Sequence, residues 1–413
     1  MPAKRMKTKT IIYLGTVAAL LIAGLALVGG VQQSDAQEKK AWSWPKYFNV
    51  ITPTVGTANH SLAVAWTPVF TATTGVRARV LPAPTGYART EWLNAREGVL
   101  SLYQPSDYFD QLDAVEGYAT RIGGPSDTRA INVNLVTAWG YMVRGDSNIK
   151  TINDIKPGTR IAFYTGSSFI VAGMDALLAY AGLTRKDVTL VEIGSYGANT
   201  NVVVEGRADV TFTSPISGPS YQAEAGPHGI RWLEIPSRDK NPAAFDRYRK
   251  IQPGYVLVKT SAGVKSALGL QMDHAYQTNH VRADEDPEFV YQLTKWMDEN
   301  YDKFKDKFTH AKMMSLASLV AYLEVGILEP LHEGTIRYLK EKNLWKPQYQ
   351  ARHDKIVALA QARVTGYKAA LEMATEKGMS TVPGNKDWVA LWANYRKEHG
   401  MAKSFGEEIL ALN

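Results

Sequence analysis

From Gly56 to Thr213 short β-rich runs alternate with helix-length amphipathic segments, and that alternation confines the chain to an α/β architecture with parallel strands. Tyr47–Ile51 reads as a first strand, ended by the turn Pro53-Thr54-Val55-Gly56, because proline cannot donate to a strand ladder. A helix is expected from Ser61 to about Thr73, kinked at Pro68. It is followed by a strand over Ala78–Leu81, a helix over Ala88–Arg96 and a strand over Val99–Tyr103. The same unit is expected again in strands 159–164, 188–193 and 209–213 with helices 168–180 and 199–205. Gly56 and Gly166 lie 110 positions apart, and Gly98 and Gly206 lie 108 apart, which suggests two lobes of similar wiring enclosing a cleft.

The boundaries that follow are 47–140 for lobe 1, completed by about 255–345, and 141–254 for lobe 2, with a helical extension over 346–413. Chain crossings between the lobes are expected at Val136–Arg144 and near Gly254–Lys259. With 413 residues there is room for two cores. In the tail, Trp388, Trp392 and Tyr395 fall at spacings of four and three, one aromatic helix face expected to dock on the body.

Lys4, Arg5, Lys7 and Lys9 precede an uncharged run from Ile11 to Gly30 and then Ser34-Asp35-Ala36, the pattern of an export signal in residues 1–36. Two outcomes fit: cleavage after Ala36, or retention of 11–30 as a membrane anchor. The expected location is the periplasm in either case. These 36 residues hold four basic side chains and one acid, so +3 of the net +7 lies there and +4 remains beyond. No basic stripe interleaved with aromatics occurs, so nucleic acid is not an expected partner. Cysteine is absent, which removes disulfides, thiolate nucleophiles, cysteine-ligated zinc and a lipid-anchored cysteine.

Chemistry is expected where strands end in glycine and small polar residues open a helix. Two such turns are Gly56-Thr57-Ala58-Asn59-His60-Ser61 and Thr165-Gly166-Ser167-Ser168. The first amides of a helix lack internal acceptors and sit at the positive end of its dipole, so they can hold a carboxylate or phosphate. The same serines could instead serve only as helix caps, Ser61 in one turn and Ser167 or Ser168 in the other. Further polar strand ends carry Thr85 and Tyr87, Gln104 and Ser106, and Ser214 and Pro215. Asp107 is read as an acid in a first helical turn, and Asp284 to Asp286 as a solvated helix start. Arg89 and Arg129 are arginines the fold could bring to a ligand. No Walker loop, HExxH pair or GxSxG elbow occurs, and the eight histidines are scattered, so neither catalysis nor a metal or other cofactor is expected.

Several segments together resemble the TAXI class of TRAP-transporter solute-binding proteins, over roughly Tyr47 to Trp345. They are Thr54-Val55-Gly56-Thr57, Pro84-Thr85-Gly86, Gln104 with Ser106 and Asp107, Ile155 to Gly158, Thr165 to Ser168, Glu205-Gly206-Arg207-Ala208-Asp209, and Pro330-Leu331-His332-Glu333-Gly334 with Tyr338 and Trp345. The resemblance implies a two-lobed type II periplasmic-binding fold, a small organic anion such as glutamate or 2-oxoglutarate, and delivery to the TRAP membrane subunits. Ala58, Asn59 and His60 replace the glycines usual in the first turn, and Tyr87 replaces a small residue, so an altered pocket is expected. An exported enzyme using His60 or His332 as a base, and a membrane-tethered sensor, are the alternatives on the same fold.

Overall fold

The computed structural model describes residues 42–326 and 328–412, and the account below concerns the unit that begins at Trp44. The export signal of residues 1–36 and its cleavage site lie outside the described residues. Ten strands occur among the described residues: β1 (Tyr47–Thr52), β2 (Arg77–Pro82), β3 (Leu100–Tyr103), β4 (Thr128–Arg144), β5 (Arg160–Tyr164), β6 (Thr189–Ile193), β7 (Val210–Thr213), β8 (Ile230–Leu233), β9 (Val256–Lys259) and β10 (Gln271–Arg282). The helices that cover them are α1 (Ala58–Thr74), α2 (Gly86–Asn94), α3 (Pro105–Asp113), α4 (Ser168–Ala181), α5 (Tyr196–Val204), α6 (Gly218–Ala225) and α7 (Pro242–Ile251). A helical C-terminal part follows: α8 (Pro287–Glu299), α9 (Tyr301–Phe304), α10 (Leu316–Glu324), α11 (Glu333–Glu341), α12 (Pro347–Glu376), α13 (Lys386–Glu398) and α14 (Phe405–Leu410).

The strands run in the order β2-β1-β3-β10-β4-β7-β5-β6, with β8 beside β4 and β9 beside β10. β1 pairs in parallel with β2 and β3, and β5 pairs in parallel with β6 and β7. Each parallel set is therefore a strand-helix-strand-helix-strand unit with its first strand in the middle, the repeated wiring that the glycine spacing suggested. A parallel strand needs a crossover helix, and the crossover segments supply one each time.

Two long antiparallel strands tie the halves together. β4 is buried along almost its whole length, pairs with β10 from Arg129↔Val281 to Trp139↔Asp273, and then continues beside β7 and β8. At about 3.3 Å per residue its 17 residues reach across both halves. β10 returns in the opposite direction with register shifts at Gln277/Thr278 and Asn279/His280, and such bulges bend a strand locally. The second crossing is thus β10, whereas Gly254–Lys259, where it was expected, gives the edge strand β9 on the N-terminal part of β10.

Two cores flank the crossing. One gathers Ile161, Phe169, Met174, Leu177, Val202, Phe212, Trp232 and Met272. The other joins Ile51, Leu93, Tyr103, Tyr108 and Leu112 to Ile356, Phe405 and Ile409, so α12 and α14 complete a core of the N-terminal half and do not form a separate body. Trp388 and Trp392 are buried against Tyr367, Ala114 and Ala119, and their indole N–H groups donate to the carbonyls of Ala119 (2.9 Å) and Asp113 (2.7 Å). That is the docking expected of an aromatic helix face. Arg363, wholly buried in α12, fastens the tail by donating to Asp113 (2.9 Å) and to the Lys403 carbonyl (3.2 Å), and it pairs with Glu408 (2.8 Å).

Candidate functional site: a cavity ringed by helix N-termini

In a parallel α/β unit every strand runs into the N-terminus of the next helix, so strand ends and helix starts collect at one edge. Here the two edges face one another around a cavity of about 740 Å³, measured to its open mouth. Thr57, Thr85, Gln104, Ser167 and Ser217, the residues preceding α1, α2, α3, α4 and α6, all line it, and Tyr196, the first residue of α5, does too. Six helices therefore begin at one space with the positive ends of their dipoles, and side-chain caps already take one amide each in α1, α2, α5 and α6. Acids are favoured in first helical turns, and α8, α9, α11, α13 and α14 carry them, whereas α1, α2, α4, α5 and α6 have none, as is also true of α7, α10 and α12, which do not line the cavity. Of the six at the cavity only α3 has one, Asp107.

The two glycine turns meet here, though not with every residue facing inward. Gly56 has φ +90°, which places the following turn so that Thr57 caps α1 by accepting from the His60 amide (3.2 Å). α1 therefore begins at Ala58, three residues before the expected start, and continues through Pro68. Ser61 is not a cap; its hydroxyl donates to the Thr57 carbonyl (3.1 Å). His60 turns away to Thr52 (3.1 Å), its pKa lowered by burial, and with Ser61 lines a separate surface groove beside Val64 and Phe308. In the other turn Gly166 approaches Tyr164 so closely that a Cβ would lie 2.3 Å from the phenol oxygen. Ser167 occupies the cap position of α4 without making the cap bond, which leaves its hydroxyl to the cavity.

Of the expected site residues, Thr57, Asn59, Thr85, Gln104, Gly166, Ser167 and Ser214 line the cavity. His60, Ser61, Tyr87, Ser106, Thr165, Ser168 and Pro215 do not. Tyr87 packs edge-on against Tyr118, Thr165 is exposed, and the Ser106 hydroxyl is buried against Gln252 (3.2 Å). The Pro215 carbonyl accepts from the Val264 amide (2.9 Å), and Ser168 reaches Asp107. Beside His60, Tyr87, Thr165, Ser168 and Pro215 a neighbour in sequence lines the cavity instead, because consecutive residues of a turn point in different directions.

Arg89 is the only charged residue lining the cavity among those described. Its Nη2 donates to Asp107 (3.0 Å) and its Nε to the Leu102 carbonyl (3.3 Å). Asp107 is buried and also accepts from Tyr118 (3.2 Å) and Ser168 (3.3 Å). Burial pushes its pKa up, against the opposing pull of Arg89 and the two hydroxyls. Because Ser168 opens α4 while Asp107 and Arg89 belong to α3 and α2, this cluster is also a bridge between the halves. Two further bridges are the Gly86 amide on the Gly166 carbonyl (3.2 Å) and the Tyr164 hydroxyl on the Pro84 carbonyl (3.5 Å). Arg129, the other candidate arginine, pairs with Asp127 and lies elsewhere.

Sequence reading missed Gln277, Trp139 and Thr137, which come from the crossing strands. A directed amide chain ends in the cavity wall: Asn279 donates to Asn134 (3.2 Å), Asn134 to Asn59 (2.7 Å), and Asn59 to the Gln277 Oε1 (2.7 Å). The orientation of each amide fixes the next, so Gln277 Nε2 is held as a donor, and it has no partner. Trp139 Nε1 and Gln104 Oε1 are likewise buried and unpartnered. Leu102, Leu135, Phe169, Ile170 and Ile216 make up the apolar wall.

Residues 72–342 match the model of the NMT1-like family. The chain belongs to that family. Its mixed α/β architecture, with two halves joined by β4 and β10, agrees with the fold class that the sequence implied. Solved structures similar to this NMT1-like chain include the periplasmic aliphatic sulphonate binding protein SsuA from Escherichia coli, at 16% identity and a TM-score of 0.38, covering 73% of this chain and 89% of that one. Another is MatC from Rhodopseudomonas palustris with bound malate, at 13% identity and a TM-score of 0.46, covering 73% and 100%. A comparison with curated protein sequences returned no match. No helix among the described residues is long and apolar enough to cross a membrane.

Proposed function

We propose that this NMT1-like chain is an extracytoplasmic solute-binding receptor that captures a small organic anion between its halves and hands it to a membrane transporter. The observation that carries this reading is the convergence of six helix N-termini, five of them free of acids, on one cavity. Such a site holds an anion by preorganised helix N-termini. Thr57, Thr85 and Ser167 would meet the acidic group, with Asn59, Gln104 and Ser214 shaping the remainder. Closure of the two halves on the ligand is the step a transporter would sense, and it requires only a higher affinity for the closed form. The TRAP kind of permease as partner rests on the motif resemblance.

For an exported enzyme, His60 or His332 would have to stand near a reacting group. Neither lines the cavity; burial and Arg129 hold His332 down to about 4, and it caps α11 by accepting from the Gly334 amide (3.2 Å). A thermal-shift screen of the purified protein against carboxylates, sulfonates, keto acids and amino acids tests the receptor reading. A ligand at 100 times its dissociation constant adds about 2.7 kcal/mol, a clear rise in melting temperature. Silence across all four classes would refute it.

A further inference from the structure

Resting on the receptor reading, we infer that the ligand is a monoanion with an apolar body and no ammonium group, in place of the dicarboxylates and amino acids the motif resemblance implies. The inference comes from charge accounting in the cavity wall. Arg89 is its one cation and is already matched by Asp107 at 3.0 Å. Among the described residues no carboxylate lines the cavity, so an α-ammonium would be buried without a counter-ion, at a cost of several kcal/mol by general desolvation estimates. A second carboxylate would add a second negative charge with no free cation in the wall to balance it, since Arg89 is already matched by Asp107. One negative charge is what the acid-free helix N-termini are arranged to meet.

Two of the three unpartnered side-chain atoms among the cavity residues agree with this, the third being the acceptor Gln104 Oε1. Trp139 Nε1 and Gln277 Nε2 are donors, and the amide chain behind Gln277 prevents it from presenting its oxygen instead. Both residues line the cavity and are more than nine-tenths buried, so an acceptor brought by a ligand would meet a donor that now has no partner. Trp139, whose ring packs 4.4 Å from that of Phe169, also belongs to the apolar wall, so donor and apolar surface stand side by side.

The test is calorimetry of the purified full chain with two matched sets: hexanoate, norleucine and adipate, then 3-phenylpropanoate, phenylalanine and phenylsuccinate. Within a set, size and body are held nearly constant while an ammonium or a second carboxylate is added. The expected result is a monoanion binding at least tenfold more tightly than either counterpart in at least one set. Equal or tighter binding of norleucine, phenylalanine or the dicarboxylates would overturn the inference and leave the receptor reading standing, and so would silence of both sets alongside a hit elsewhere in the wider screen. Silence in both sets and in the screen would sink both. Trp139→Phe, which keeps a ring and removes the N–H, is expected to weaken the best monoanion about tenfold, a hydrogen bond to a charged group being at stake. A change below twofold, with an unaltered melting temperature of the free protein, would remove Trp139 from the assignment.

Discussion

Replacing Asp107 by asparagine should destabilise the protein and yet tighten its hold on anions. The carboxylate accepts from Arg89 (3.0 Å), Tyr118 (3.2 Å) and Ser168 (3.3 Å), and it is almost wholly buried. Removing one partner of a buried ion pair costs about 3–5 kcal/mol, because the other charge is left uncompensated. That other charge, Arg89, lines the cavity. At about 5 Å and an effective dielectric constant of about 20, a freed guanidinium attracts a ligand carboxylate by about 3 kcal/mol, roughly a hundredfold in dissociation constant. Urea unfolding of the free protein should therefore show the loss, while calorimetry should show adipate gaining at least tenfold in affinity. The double variant Arg89→Gln, Asp107→Asn removes both charges and should recover more than half of the lost stability, a non-additivity that isolates the pair. Asp107→Asn with unchanged stability, or additive single and double variants, would show that the pair is not what holds this bridge. A stable Asp107→Asn variant with no gain for adipate would refute the account of Arg89 as a neutralised cation.

Arg363→Met should cost about 3 kcal/mol in urea unfolding, since Glu408 would lose its ionic partner and Asp113 would keep only Arg396 (3.0 Å) of its two. Unfolding monitored through tryptophan fluorescence should report it, as Trp388 and Trp392 dock on the same tail. Asp273 is buried beneath the Tyr248 hydroxyl and its pKa is pushed up to about 7 by burial. A raised carboxylate means the folded state holds a proton that the unfolded chain releases, so its contribution is intact below about pH 4 and is lost as pH rises toward 7. Asp273→Asn should thus match the wild type near pH 4 and exceed it by as much as about 4 kcal/mol at pH 8, read from denaturant midpoints; a constant difference across that range would refute the assignment. Gly166→Ala would displace the Tyr164 hydroxyl and disturb the bridge to Pro84, so ligand affinity should fall at least fivefold while urea stability changes by less than about 1 kcal/mol. A fall in stability without a fall in affinity would place Gly166 in the core and not in closure.

The sequence by itself determined what depends on neighbours along the chain. The two α/β units, their glycine turns and the docking face of Trp388 and Trp392 are legible because strand alternation, first-turn polar residues and helix periodicity are local patterns. Half of the expected site residues line the cavity for the same reason: once strands are parallel, Thr57, Thr85, Gln104 and Ser167 must gather at one edge. Only the tertiary structure decided which way each turn residue faces, so that Asn59 and Ser167 look inward while His60 and Ser168 do not. It also decided the course of β4 and β10, whose buried runs carry little alternation because neighbouring strands and helices cover both faces. With those strands come Trp139 and Gln277, and with the burial of Asp107 comes the neutralisation of Arg89. Contacts between residues distant in sequence set the charge of the cavity, and no local pattern encodes them.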